Sequence, residues 1–176
     1  WAAKGAREDD SAVLYTRRML TTRRAAIDDS NLIMRHRKAM FADMRNAEET
    51  VLEEMGRNFE PWVRRMIAEE MYVGWVTSDG ERVVGSAGLL ILDWATHFLD
   101  PRCDRRGYIL NVFVEPEYRG RGIAKALTLE CMAETKRRGI GVVALHASQK
   151  GQPVYERLGF TTSNEMLFVT SSDLRR

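Results

Sequence analysis

With 176 residues, 44% of them hydrophobic, the chain is long enough for one domain with a substantial core and too short to favour a second. Its 27 Lys plus Arg stand against 25 Asp plus Glu, a formal charge of +2. That balance argues against the broad basic field of a general nucleic-acid binder and directs attention to a site, not a face. Two cysteines, Cys103 and Cys131, with three scattered histidines and no Cys-x-x-Cys, offer neither a disulfide framework nor a metal centre. They fit a reducing cytoplasm. No apolar run approaches the ~20 residues that span a bilayer, and no charged-then-apolar leader opens the sequence, so no membrane partner is expected.

In chain order, polar residues 1–11 read as a mobile tail, and 12–176 as a single domain. Ala12 to Arg18 has the pattern of a first strand. Thr21 to Ala26 leads to a helix near Asp28, in which Ile33, Met34, Met40, Phe41 and Met44 alternate with basic residues. Glu48 to Glu70 continues as helix, with a break expected before Pro61. Met71 to Thr77 is a strand, Ser78 to Gly80 a tight turn, and Arg82 to Trp94 the returning strand. His97 to Arg106, with Pro101 and several charges, reads as a loop. From Tyr108 the order becomes strand, loop, helix, strand, short helix and strand, with Met166 to Thr170 last. This alternation predicts a mixed α/β fold with helices on both faces of a sheet.

The most informative stretch runs from Asn111 to Lys125, where a Val-rich strand passes through Glu115-Pro-Glu-Tyr-Arg-Gly-Arg-Gly122 straight into a helix. Gly120 and Gly122 admit backbone conformations closed to other residues. The helix beyond them presents unpaired N–H groups and the positive end of its dipole. Arg119 and Arg121 add charge, so the stretch is built for an anion of phosphate type. It is not a dinucleotide fingerprint, because Gly120-Arg-Gly122 is followed by Ile123, Ala124 and Lys125. It also lacks the Gly-Lys-Ser/Thr of a triphosphate loop. The following helix carries an apolar stripe at Ile123, Ala126, Leu127 and Cys131 and stops at Lys136-Arg-Arg-Gly139.

Arg119-x-x-Gly122-x-Ala124 after a strand resembles the coenzyme A pyrophosphate loop of the GNAT superfamily of acyl-CoA-dependent N-acyltransferases. Downstream, Pro153-Val-Tyr-Glu-Arg-Leu-Gly-Phe160 resembles that family's Tyr-x-x-x-Gly-Phe helix end, separated from the loop by one helix and one strand. The resemblance covers residues 12 to 170, and the second half carries the specific motifs. It implies the acyltransferase fold: a mixed, mostly antiparallel sheet flanked by helices and splayed between Tyr108–Glu115 and Val142–Ser148, with the cofactor between them. The implied activity is N-acetyl transfer from acetyl-CoA to a primary amine, without a metal.

By the same resemblance, the backbone of Val112, Phe113 and Val114 binds the acyl and pantetheine end of the cofactor. Arg119, Gly120, Arg121, Gly122, Ile123 and Ala124 hold its pyrophosphate. Tyr155 is the general acid for the departing thiolate. Ser148 stands where many relatives carry an asparagine that touches the cofactor, a departure that keeps a hydroxyl but shortens its reach.

A base is also needed, since an alkyl amine has a pKa near ~10.4. Glu115 is the nearest carboxylate, sharing a strand face with Asn111 and Phe113. His146 and water are the alternatives. The acceptor is expected to meet the Asn46–Thr50 connection and the loop around Trp94 to Arg106. Glu48, Glu49, Glu53 and Glu54 suit either a cationic amine or simply a helix start. Two rivals remain: a non-catalytic acyl-CoA sensor, and a nucleic-acid binder using Arg102 to Arg106 with Arg119, Arg121 and Lys125. The sequence leaves a homodimer open.

Overall fold

The computed structural model describes residues 20–44 and 47–167. The tail at 1–11 and the strand expected at 12–18 lie outside these residues, as does Asn46. The first described strand is β1 (Leu20–Arg24), where the sequence suggested only a lead into a helix. It is followed by α1 (Ser30–Asp43), α2 (Glu49–Ala68), β2 (Tyr72–Asp79), β3 (Arg82–Asp93), β4 (Arg105–Val114), α3 (Ile123–Arg137), β5 (Val143–Leu145) and α4 (Gln152–Glu156). The five strands form one sheet in the order β1-β2-β3-β4-β5, antiparallel throughout except for the parallel pair β4/β5.

Strand alternation splits the core into two layers. Tyr72 and Val76 of β2 face Ile33 of α1 and Phe59 and Val63 of α2. Val73, Trp75, Leu89, Ile91 and Ile109 face Ile123, Leu127 and Cys131 of α3. The stripe on α3 departs from the expected one, because Ala126 is exposed while Thr128, Glu134 and Thr135 are buried. The helix ends as its sequence indicates. Gly139 takes φ +69, and Ile140 N–H bonds the Thr135 carbonyl at 3.0 Å.

Four further expectations are corrected. Pro61 does not break α2, because Leu52, Gly56, Phe59 and Val63 form one buried face that spans it, and packing of that face outweighs the missing hydrogen bond. The β2–β3 turn is Gly80-Glu81, since Asp79 pairs with Arg82 and Gly80 supplies the φ of +60. The strand at Arg105 starts earlier than expected, as Arg105 and Arg106 pair with Asp93 and Leu92. Residues 161–167 form no strand, and Met166 and Leu167 are exposed. The rest of the strand expected there lies outside the described residues.

Candidate active site

Two irregularities of β4 create the site. Its parallel pairing with β5 covers only Gly107, Tyr108 and Ile109, opposite Val143, Ala144 and Leu145. From Leu110 to Val114 the strand runs on with no strand partner on that side among the described residues, so backbone groups there other than the Val114 carbonyl, which Arg119 occupies, are open to a ligand. On its other side β4 carries a bulge. Ser86 pairs with Phe113 and Gly88 with Leu110, so Ala87 faces both Asn111 and Val112. Asn111 absorbs the extra residue with φ +56.

At the end of this open strand lies the phosphate-type loop. Gly120 and Gly122 have φ +78 and +81, and a Cβ on either would meet no heavy atom within 4 Å. Backbone conformation, not crowding, is what demands glycine there. The first hydrogen bond of α3 is Ala126 N–H to the Gly122 carbonyl at 3.0 Å. The N–H groups of Ile123, Ala124 and Lys125 therefore point out of the helix start with no acceptor among the described residues.

The two arginines of the loop are held by the protein itself. Arg119 Nε donates to the Val114 carbonyl at 3.0 Å and its Nη2 pairs with Asp43 at the end of α1. Arg121 Nη2 donates to the Glu117 carbonyl at 3.1 Å, and its guanidinium lies 4.7 Å from the Tyr118 ring. The anion donors that stand ready are thus backbone N–H groups, with the arginines contributing field.

Tyr155 sits on the α3 side of the opening. Its ring meets Phe160 edge-on with centroids 6.0 Å apart. Burial, with the Cys131 thiol behind it, pushes its hydroxyl up to about 12, so it carries its proton at neutral pH. Ser148 is near it. A Cβ on Gly151 would touch both Ser148 Oγ and the Tyr155 ring at 3.2 Å. The Ser148 Oγ accepts from Gly151 N–H at 3.1 Å and fixes the entry to α4. Val112 and Val114 border the same apolar layer as Phe160.

Glu115 lies on the opposite face of the sheet, with Phe113 and Asn111, as alternation indicated. Its carboxylate is 28% exposed and stands 3.9 Å from Nε2 of His36. His36 was not singled out in the sequence. It is 4% exposed, its Nδ1 is 2.8 Å from Ser86 Oγ, and its ring packs on Phe113 at 4.8 Å. Burial, reinforced by Arg35, lowers it to about 4, so the imidazole is neutral at pH 7. The signal for it was the helical stripe: three residues on from Ile33 come His36 and then Arg37, both turned toward the sheet. His146, expected inside a buried strand, instead follows β5 and is exposed, with Nδ1 bonded to the Tyr108 hydroxyl.

The acceptor expectations divide. Glu49 and Glu53 pair with Lys38 of α1, which gives them a structural use. The Trp94–Arg106 connection borders a cavity of about 520 Å³ closed by Ser163, Asn164 and Glu165, at the start of β4 and thus away from the loop that follows its end. Arg106 is not a freely solvated loop residue: it stacks 4.7 Å over Trp94 and pairs with Glu165 at 3.2 Å. Among the described residues no cluster of three or more His, Cys, Asp or Glu is arranged to hold a metal ion, and no helix is long and apolar enough to cross a membrane.

Fold and site define a class: α/β proteins whose mostly antiparallel sheet opens beside a glycine-rich strand–loop–helix turn. The sequence model of the Acetyltransferase (GNAT) family matches residues 37–160, and the chain belongs to that family. Its fold is similar to that of a GCN5-related N-acetyltransferase from Ralstonia eutropha JMP134, with TM-score 0.82 and 38% identity over 86% of this chain and 98% of that one. It is also similar to a predicted acetyltransferase of Clostridium acetobutylicum solved with acetyl-CoA, with TM-score 0.79 and 26% identity over 86% and 96% of the two chains. Among curated relatives, 83 residues are 39% identical to glucosamine 6-phosphate N-acetyltransferase of Trypanosoma brucei brucei, covering 45% of this chain and 51% of that protein. Human N-acetyltransferase 8B is 32% identical over 98 residues, 53% of this chain and 40% of that protein. The chain thus spans about half or less of the curated relatives' length.

Proposed function

We propose that the protein transfers the acetyl group of acetyl-CoA directly to a primary amine of a small molecule or peptide. The observation that carries this reading is the edge of β4 from Leu110 to Val114, which has no strand partner on the β5 side and leads into N–H groups at Ile123 to Lys125 without an acceptor among the described residues. Such an edge suits the amides of pantetheine, and such a helix start suits a pyrophosphate. The neighbour solved with acetyl-CoA supports the same cofactor here.

In this reading the backbone of Val112, Phe113 and Val114 orients the thioester, and Gly120 to Ala124 hold the pyrophosphate. Bound acetyl-CoA supplies an activated acyl carbon. The amine attacks it from the Glu115 face of the sheet, losing a proton to Glu115 directly or through water. As the carbon–sulfur bond breaks, Tyr155 gives its proton to the thiolate from the α3 face, leaving an amide and coenzyme A. Acid and base on opposite faces keep the two protons apart. Ser148, already committed as an acceptor to Gly151, retains a hydroxyl proton that can be donated to the cofactor. The 39% identical relative supports an amino-sugar phosphate as one acceptor to try.

The test is free-thiol release from acetyl-CoA with amino-sugar phosphates, polyamines, amino acids and peptides, for the wild-type protein and Tyr155→Phe. Amine-dependent turnover is expected, with kcat in Tyr155→Phe reduced about 100-fold and coenzyme A affinity retained. Binding without turnover by any amine supports an acyl-CoA sensor instead. Absence of both turnover and coenzyme A binding contradicts the reading.

A further inference from the structure

Asn111 is a polar residue in an apolar strand, at a positive φ that asparagine tolerates better than most residues. It is 2% exposed and bonded at both ends. Its Oδ1 accepts from Nη1 of Arg37 in α1 at 2.6 Å, and its Nδ2 donates to the Tyr72 hydroxyl in β2 at 3.1 Å. Tyr72 reaches this point because Gly88, the residue paired with Leu110, has no side chain. A Cβ there would lie 2.1 Å from the Tyr72 hydroxyl. The Arg37 guanidinium is held 4.9 and 4.7 Å from the rings of Phe41 and Phe59, and its Nε is buried with no hydrogen-bond partner among the described residues. A polar cluster left incompletely paired is a poor device for stability alone.

The position of the cluster indicates what it does. Ile109 faces α3; two residues on, regular alternation would put Asn111 on that face also. The bulge reverses the parity, so that Leu110, Asn111, Phe113 and Glu115 face α1 while Val112 and Val114 turn to α3. We infer that Arg37, Tyr72 and Asn111 form a clamp that fixes this bulge, and that Asn111 is the positioning residue for the acyl end of the cofactor. The inference rests on the proposed acetyl-CoA site. It assigns the nucleotide half of the cofactor to the loop and the pantetheine half to the clamped strand, so the two halves respond differently when the clamp is loosened.

Calorimetric titration with coenzyme A and with its nucleotide half, adenosine 3′-phosphate 5′-diphosphate, separates them. In Asn111→Ala, coenzyme A affinity is expected to fall about tenfold while the nucleotide binds within about twofold of the wild type. Asn111→Gly, which admits the positive φ without the side chain, recovers part of the loss. Tyr72→Phe, which removes one hydroxyl and keeps the ring, shifts coenzyme A in the same direction, and decides the matter if the Asn111 variants do not fold. Equal loss for both ligands, or no loss in folded variants, overturns the clamp while leaving the cofactor site standing. Failure of the wild-type protein to bind coenzyme A overturns both.

Discussion

His36 shows how one side chain changes meaning when helix α1 is laid on the sheet. In sequence it belongs to a basic run, Arg35-His-Arg-Lys38, which reads as a solvated face; in the fold it fills the space over Phe113 and Ser86. Its burial disfavours the charged form more strongly than Glu115, 3.9 Å away, favours it, and Arg35 adds to the depression. The unfolded chain therefore binds a proton near pH 6.5 that the folded chain refuses until about pH 4. Stability is complete above about pH 6.5 and is lost as pH falls toward about pH 4, by about 3 kcal/mol from this group. Denaturant unfolding at a series of pH values checks it. His36→Gln is expected to flatten that slope, and an unchanged slope contradicts the assignment. The positive φ of Gly120 and Gly122 was legible because turn geometry is local. The partners of Arg119, Asp43 and the Val114 carbonyl, were not, since one of them lies 76 positions away.

Elements were legible where one period dominated and not where two influences competed. Alternation put Asn111, Phe113 and Glu115 on a common face correctly, yet nothing in the residues announced that Ile109 lies on the other one, because the bulge is fixed by side chains from α1 and β2. Local rules stopped α2 at Pro61, and the apolar face from Leu52 to Val63 carried it through. The missing hydrogen bond still has a cost. Replacing exposed Pro61 with alanine restores the donor in a helix interior and is expected to stabilise the protein by about 1–3 kcal/mol, read as a higher thermal midpoint. A lower midpoint would mean that the proline ring is itself part of the packing.

Across the whole molecule, the two layers of helices leave one part of the sheet uncommitted. The pairing of β4 with β5 stops at Ile109 and Leu145, while β4 continues to the loop, so a wedge opens toward the start of α3 between Tyr155 on one face and Glu115 on the other. The elements that border the wedge were legible because strand, loop, helix and Tyr-x-x-x-Gly-Phe follow one another in sequence. The acceptor half was not. Its chemistry depends on which side chains of distant elements the fold brings together, as it brings His36 of α1 to Glu115. On the proposed function, the wedge and the loop hold coenzyme A as one continuous site. A crystal structure of the protein with coenzyme A tests this directly. The pyrophosphate is expected on the N–H groups of Gly120 to Ala124, the pantetheine beside Val112 to Val114, and the sulfur within hydrogen-bond reach of the Tyr155 hydroxyl. Coenzyme A bound elsewhere, for example in the cavity under Trp94, or a sulfur remote from Tyr155, would contradict it.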